Sequence, residues 1–135
     1  MDSIIYLSVN NIQLPADPPE ILEVSSSKGA SSECPDCMGV YKLSHERCPD
    51  NPVWEHTGRE MYVYLDADGD WLVSDEVGDD SSYSIASRSS NLPSPHAIYA
   101  RWWYYSHGEW NKDDDTLRIQ SISEGFRLYL EKYWI

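Results

Sequence analysis

Residues 59–76 read REMYVYLDADGDWLVSDE. Met61, Val63 and Leu65 alternate with Tyr62 and Tyr64, then Asp68-Gly69 interrupts, then Trp71-Leu-Val resumes. Successive strand side chains point to opposite faces, so alternation on both sides of an Asp-Gly step specifies a β-hairpin. The same grammar recurs on either side. PVWEH (52–56) sets Val53 and Trp54 on opposite faces, and GVYKLS (39–44) sets Tyr41 and Leu43 on one face. ERCPDN (46–51) reads as the turn between them. Downstream, residues 74–95 form a long polar loop interrupted by a short edge strand at SYSIAS. HAIYARWWYYSHGEW (96–110) is an aromatic strand pair turning at His107-Gly108, and a further strand covers Thr116–Ile119.

Upstream, SIIYLSVNNIQL (3–14) reads as a strand and ILEV (21–24) as a short one. PADPPE (15–20) is a linker, because Pro15, Pro18 and Pro19 remove donors and fix φ. SSSKGASSE (25–33) reads as a polar loop. The tail SISEGFRLYLEKYWI (121–135) fits either a strand or a short helix. Short strands joined by turn residues specify an all-β fold, a single-domain antiparallel β-sandwich or small barrel. Residues 1–19 then form a strand and Pro-rich linker, 20–120 the β domain and 121–135 a C-terminal extension.

A 135-residue chain suits one domain, and 41% hydrophobic residues suit a folded core. The formal charge is −13. Phosphate backbones and anionic lipid surfaces are recognised mainly through basic groups, so nucleic acid and anionic membranes are disfavoured as partners. No stretch approaches the ~20 apolar residues of a membrane span, so no insertion is expected. MDSIIYLSVNNIQLP lacks a basic leader and a long apolar run. The default is therefore a cytoplasmic chain if Met1 is native, and an extracellular one if this is an excised module.

One series of residues carries a resemblance. Gly39-Val-Tyr41 is followed by Asn51-Pro-Val-Trp54, Tyr62-Val-Tyr64 and Trp71-Leu-Val-Ser74. Pro93 and Pro95, Trp102-Trp103, Gly108-Glu-Trp110 and Asp115-Thr-Leu-Arg-Ile119 complete it. The series resembles a small aromatic-rich β module recurrent in animal extracellular multidomain proteins and in algal and dinoflagellate proteins. The resemblance covers about residues 20–120 and implies a small, non-catalytic β domain used for interaction. The chain departs from that pattern in its CxxC and its two terminal extensions.

Six Trp and ten Tyr against one Phe supply rings with a polar handle. Arg101-Trp-Trp-Tyr-Tyr105 is the densest run, with Trp102 and Tyr104 on one face and Trp103 and Tyr105 on the other. One face belongs to the core, and the other is either covered or an aromatic platform for a glycan or a protein. The expected ligand-binding residues are Trp54, Tyr62, Tyr64, Trp102, Trp103, Tyr104 and Trp110, and the expected function is non-enzymatic binding.

Two alternatives belong to other classes. Cys34, Cys37, His45 and Cys48 have the ligand types of a Cys3His zinc site. An extended strand over 40–44 spans ~16 Å, which separates Cys37 from His45 and Cys48 and rules out a Cys37–Cys48 disulfide. A hairpin turning near 47–50 instead returns His56 towards Cys37, so Cys34, Cys37 and His56 form the better zinc set, in a protein otherwise expected to need no cofactor. CxxC redox chemistry needs a helix start after the motif, and MGVYKL offers none. Asp66-Ala-Asp68-Gly69-Asp70 fails the calcium-loop pattern, with Trp71 at position 6 and Val77 at position 12. The second alternative is an enzyme whose site assembles from distant residues. No G-x-S-x-G or H-E-x-x-H is present, and Ser106-His107 adjacency in a strand does not aim one side chain at the other.

Overall fold

The computed structural model describes residues 18–79, 82–88, 92–97 and 99–122. The readings of 3–14 as a strand and of 123–135 as strand or helix lie outside them. Nine strands run in chain order: β1 (Ile21–Ser25), β2 (Gly39–Arg47), β3 (Pro52–His56), β4 (Tyr62–Leu65), β5 (Trp71–Ser74), β6 (Ile85–Ser87), β7 (Trp102–Ser106), β8 (Glu109–Asn111) and β9 (Arg118–Ile122). A one-turn helix, α1 (Gly29–Glu33), and a 3-10 turn over Pro35–Cys37 fill the β1–β2 connection. The strands form one antiparallel sheet ordered β8-β7-β6-β5-β4-β3-β2-β1-β9. It is curled into a half-barrel, so the all-β reading resolves towards the barrel and away from two packed sheets.

Most neighbours in the sheet are neighbours in sequence, as hairpin-joined strands should be. The exception is β9, which returns to pair with β1 through Val24↔Ile119 and Leu22↔Ser121. The Asp-Gly hairpin forms as the alternation requires, with Leu65 opposite Trp71 and Val63 opposite Val73. Asp66 fixes its turn, since Oδ1 accepts the backbone N–H groups of Asp68 and Asp70 at 2.9 and 2.8 Å. The second turn, at His107 (φ 54) and Gly108 (φ 80), has the two positive φ values of the two-residue turn that matches strand twist.

The pleat sorts side chains into two layers. Leu22, Val24, Tyr41, Trp54, Val63, Trp71, Val73, Ile85, Trp102, Tyr104 and Ile119 form the principal core. Val53, Tyr64 and Leu72 form a smaller cluster on the other face, with Tyr62 and Tyr83 packed against it. Both faces of β3–β5 are thus covered, which is why WLVS (71–74) is buried at every position.

Two expectations are corrected. SYSIAS, expected as an edge strand, holds β6, which lies inside the sheet between β5 and β7. Its few apolar residues suffice because Val73↔Ile85 and Ile85↔Tyr104 place Ile85 in the core. The polar loop 25–33 contains α1, whose cause lies 84 residues away. Asp114 Oδ2 accepts the Ala30 N–H at 2.9 Å and the Ser26 hydroxyl at 2.5 Å, supplying from a distant loop the cap that Lys28 does not provide. Ser121 and Ile122, at the start of the tail, are extended as the last residues of β9.

Candidate functional site

The seven expected ligand residues do not share a surface. Trp54 and Trp102 are 1% and 3% exposed and lie in the principal core. Trp54 meets Trp71 edge-on at 6.0 Å, and its Nε1–H donates to the Pro19 carbonyl at 2.8 Å. Tyr104 is also buried in that core, with its hydroxyl donating to Asp113 at 3.2 Å. That hydroxyl occupies the space a Cβ at position 29 would need, so a larger residue than Gly29 would displace the Tyr104 ring tip. Tyr64 is buried on the opposite face and donates to the Asp79 carbonyl. Rings buried this deeply pack the core and present no exposed aromatic platform on the sheet. Tyr62 and Trp103 are half-buried. Trp103 is flanked by Arg88 and Lys112, each 5.7 Å from its ring.

Trp110 does lie in a recess. It meets Tyr105 at 5.2 Å edge-on and Tyr83 at 5.2 Å with 31° between the rings. Tyr105 is one of the two large hydrophobic side chains most exposed among the described residues, at 45%. The three rings form one wall of a cleft of about 690 Å³. The strand directions build it: β5 ends just before Asp75, β6 begins after Ser84 and β7 ends past Tyr105, all at the same end of the sheet. The connection carrying Glu33, Cys34, Asp36 and Cys37 supplies the facing wall.

The carboxylates of the cleft differ in their commitments. Glu33 Oε1 accepts the Ser106 hydroxyl at 2.7 Å and lies 3.2 Å from His107 Nε2. Asp36 is 4.0 Å from the Arg59 guanidinium, which turns mainly to the Pro35 and Asp36 carbonyls. Among the described residues, no donor or cation meets the Asp75 side chain. Among the described residues, no Lys or Arg lines the cleft.

The thiols at its base are quiet. Burial raises the pKa of both, Cys34 with a further push from Glu33, and Cys37 to about 12. Neither is a ready nucleophile, since the thiolate is the reactive form. None of the three cysteines is bridged.

His56 returns beside the CxxC, as hairpin geometry required, pairing with Tyr41 and meeting its ring at 4.9 Å. Its ring does not join the thiols. Nε2 lies 2.9 Å from the Met38 carbonyl, and Nδ1 accepts the Gly58 N–H at 2.8 Å. Donation by Nε2–H and acceptance by Nδ1 define one neutral tautomer with both nitrogens engaged. Among the described residues, no three His, Cys, Asp or Glu groups converge as a metal site would need. Ser106 and His107 both reach Glu33, but the hydroxyl donates to the carboxylate and not to the ring, which is not the contact of a nucleophile with its base.

The sequence reading missed Tyr83, which sits in a serine-rich segment. It also left Tyr105 outside the chosen set, although both rings complete the cleft. The β7 alternation was the available signal for Tyr105, while nothing local marks Tyr83. Comparison with family models, curated proteins and solved structures finds no match to this chain.

Proposed function

We propose that this domain is a non-enzymatic binding module that takes a partner protein at the Tyr83–Tyr105–Trp110 cleft, seating a Lys or Arg side chain of that partner. The carrying observation is that three rings and three carboxylates line one recess in which, among the described residues, no Lys or Arg side chain stands. Ring faces attract cations by ~0.5–2 kcal/mol, more as water is excluded, and Asp75 and Asp36 add charge at the rim. A net charge of −13 speeds encounter with a basic partner. Neutral glycans also stack on such rings, but Asp75, which meets no cation among the described residues, favours a charged guest over a neutral one.

Peptide and glycan arrays probed in parallel with wild type and with Trp110→Ala test the proposal. Lys- and Arg-containing peptides should be retained by the wild type and at least tenfold less by Trp110→Ala, which leaves net charge unchanged. Asp75→Asn should weaken the same peptides. Retention of neutral glycans alone, or equal peptide binding by Trp110→Ala, would overturn it.

A further inference from the structure

A second cavity, of about 610 Å³, lies at the seam between the start of β7 and β9, which among the described residues is an edge strand of the sheet. Its surroundings invert the charge of the molecule. Arg88, Arg101, Lys112 and Arg118 line it, four of the ten Lys and Arg in a chain with 23 acidic residues. They come from four separate places: the end of β6, the start of β7, the residue after β8 and the start of β9. Among the described residues, no carboxylate lies within 4.0 Å of any of the four.

Two acids, Asp114 and Asp115, also line the cavity, and both are engaged elsewhere: Asp114 accepts from Ser26, Thr116 and the Ala30 N–H, and Asp115 pairs with Lys28 at 2.8 Å. Lys112 and Arg88 are steadied against the Trp103 ring. Arg101 gives Nη1 to the Tyr99 and Ala100 carbonyls, and Arg118 gives Nε to the Thr116 carbonyl. Among the described residues, no other bond is made by either guanidinium. Guanidinium groups with donors to spare and no carboxylate partner are matched to planar or tetrahedral oxyanions. Trp102, Leu117 and Ile119 give the cavity an apolar floor.

We infer that the seam cavity binds a small organic oxyanion, with its carboxylate, phosphate or sulfate on Arg101 and Arg118 and its body on the Trp102–Ile119 floor. An extended polyanion would leave the basic rim and meet the acidic surface, so the guest is compact. The inference is independent of the aromatic cleft at the other site.

Calorimetric titration at constant ionic strength, with glucose 6-phosphate, glucose 6-sulfate, glucuronate, inorganic phosphate and neutral glucose, tests it. At least one charged sugar should bind at millimolar Kd or tighter and at least tenfold more tightly than glucose. The strongest of the three identifies the oxyanion. Arg101→Gln/Arg118→Gln should weaken it at least tenfold with an unchanged circular dichroism spectrum. Arg101→Lys/Arg118→Lys, which keeps charge and loses the fork, should fall between. Binding no better than glucose, or binding untouched by the double Gln variant, would overturn the inference.

Discussion

Two tryptophans show how burial separates structure from function at the scale of the residue. Trp54 is 1% exposed and contacts Trp71 in the core, whereas Trp110 stands half-buried in the cleft. Removing a buried Trp forfeits transfer energy and leaves a cavity, which costs about 3–5 kcal/mol. In urea titrations Trp54→Ala should therefore lose about 3–5 kcal/mol of unfolding free energy and Trp110→Ala about 1 kcal/mol or less; equal losses would contradict the assignment. The thiols make a second test. Cys37 is 1% exposed, with its pKa raised to about 12. At pH 8, Cys37 should resist a disulfide reagent in native protein and react in denaturant, as judged by mass spectrometry of labelled peptides. Rapid native labelling would show that the base of the cleft is open.

At the scale of the element, α1 depends on Asp114. Burial alone would raise that carboxyl's pKa, but donors from Ser26, Thr116, and the Ala30 and Thr116 backbone outweigh it and hold it at about 2. An ordinary Asp titrates near 3.8. The folded value is depressed, so the stabilisation is complete above about pH 4 and is lost as pH falls towards 2. It is worth on the order of 2 kcal/mol. Asp114→Asn should be less stable at pH 7 and should lose less between pH 4 and 2, measured by thermal midpoints. An unchanged acid slope would contradict the role.

This tie also marks the limit of what sequence could show. Hairpins at 65–71 and 106–109 were legible because alternation and turn residues are local. The helix at 29–33 was not, because its cap comes from residue 114. The central place of β6 was hidden for the same kind of reason, since strand order depends on non-local pairing. For the site, Trp110 was legible as an aromatic near a turn. Its partners Tyr83 and Tyr105 were not, because the cleft joins three chain segments.

On the scale of the whole molecule, the half-barrel separates two recesses of opposite character. An acidic, aromatic cleft sits where β5 and β7 end, and a basic, apolar-floored cavity sits at the seam between β7 and β9. No helix among the described residues is long and apolar enough to cross a membrane. The central claim is that the cleft seats a cationic side chain of a partner protein. It is tested most directly by titrating ¹⁵N-labelled protein with an array-selected Lys- or Arg-containing peptide and mapping the amide shifts. The expected result is saturable shifts concentrated at Glu33, Cys34, Ser84, Tyr105 and Trp110, absent when the basic residue is replaced by norleucine. Shifts scattered over the acidic surface, or unchanged by the norleucine peptide, would contradict it.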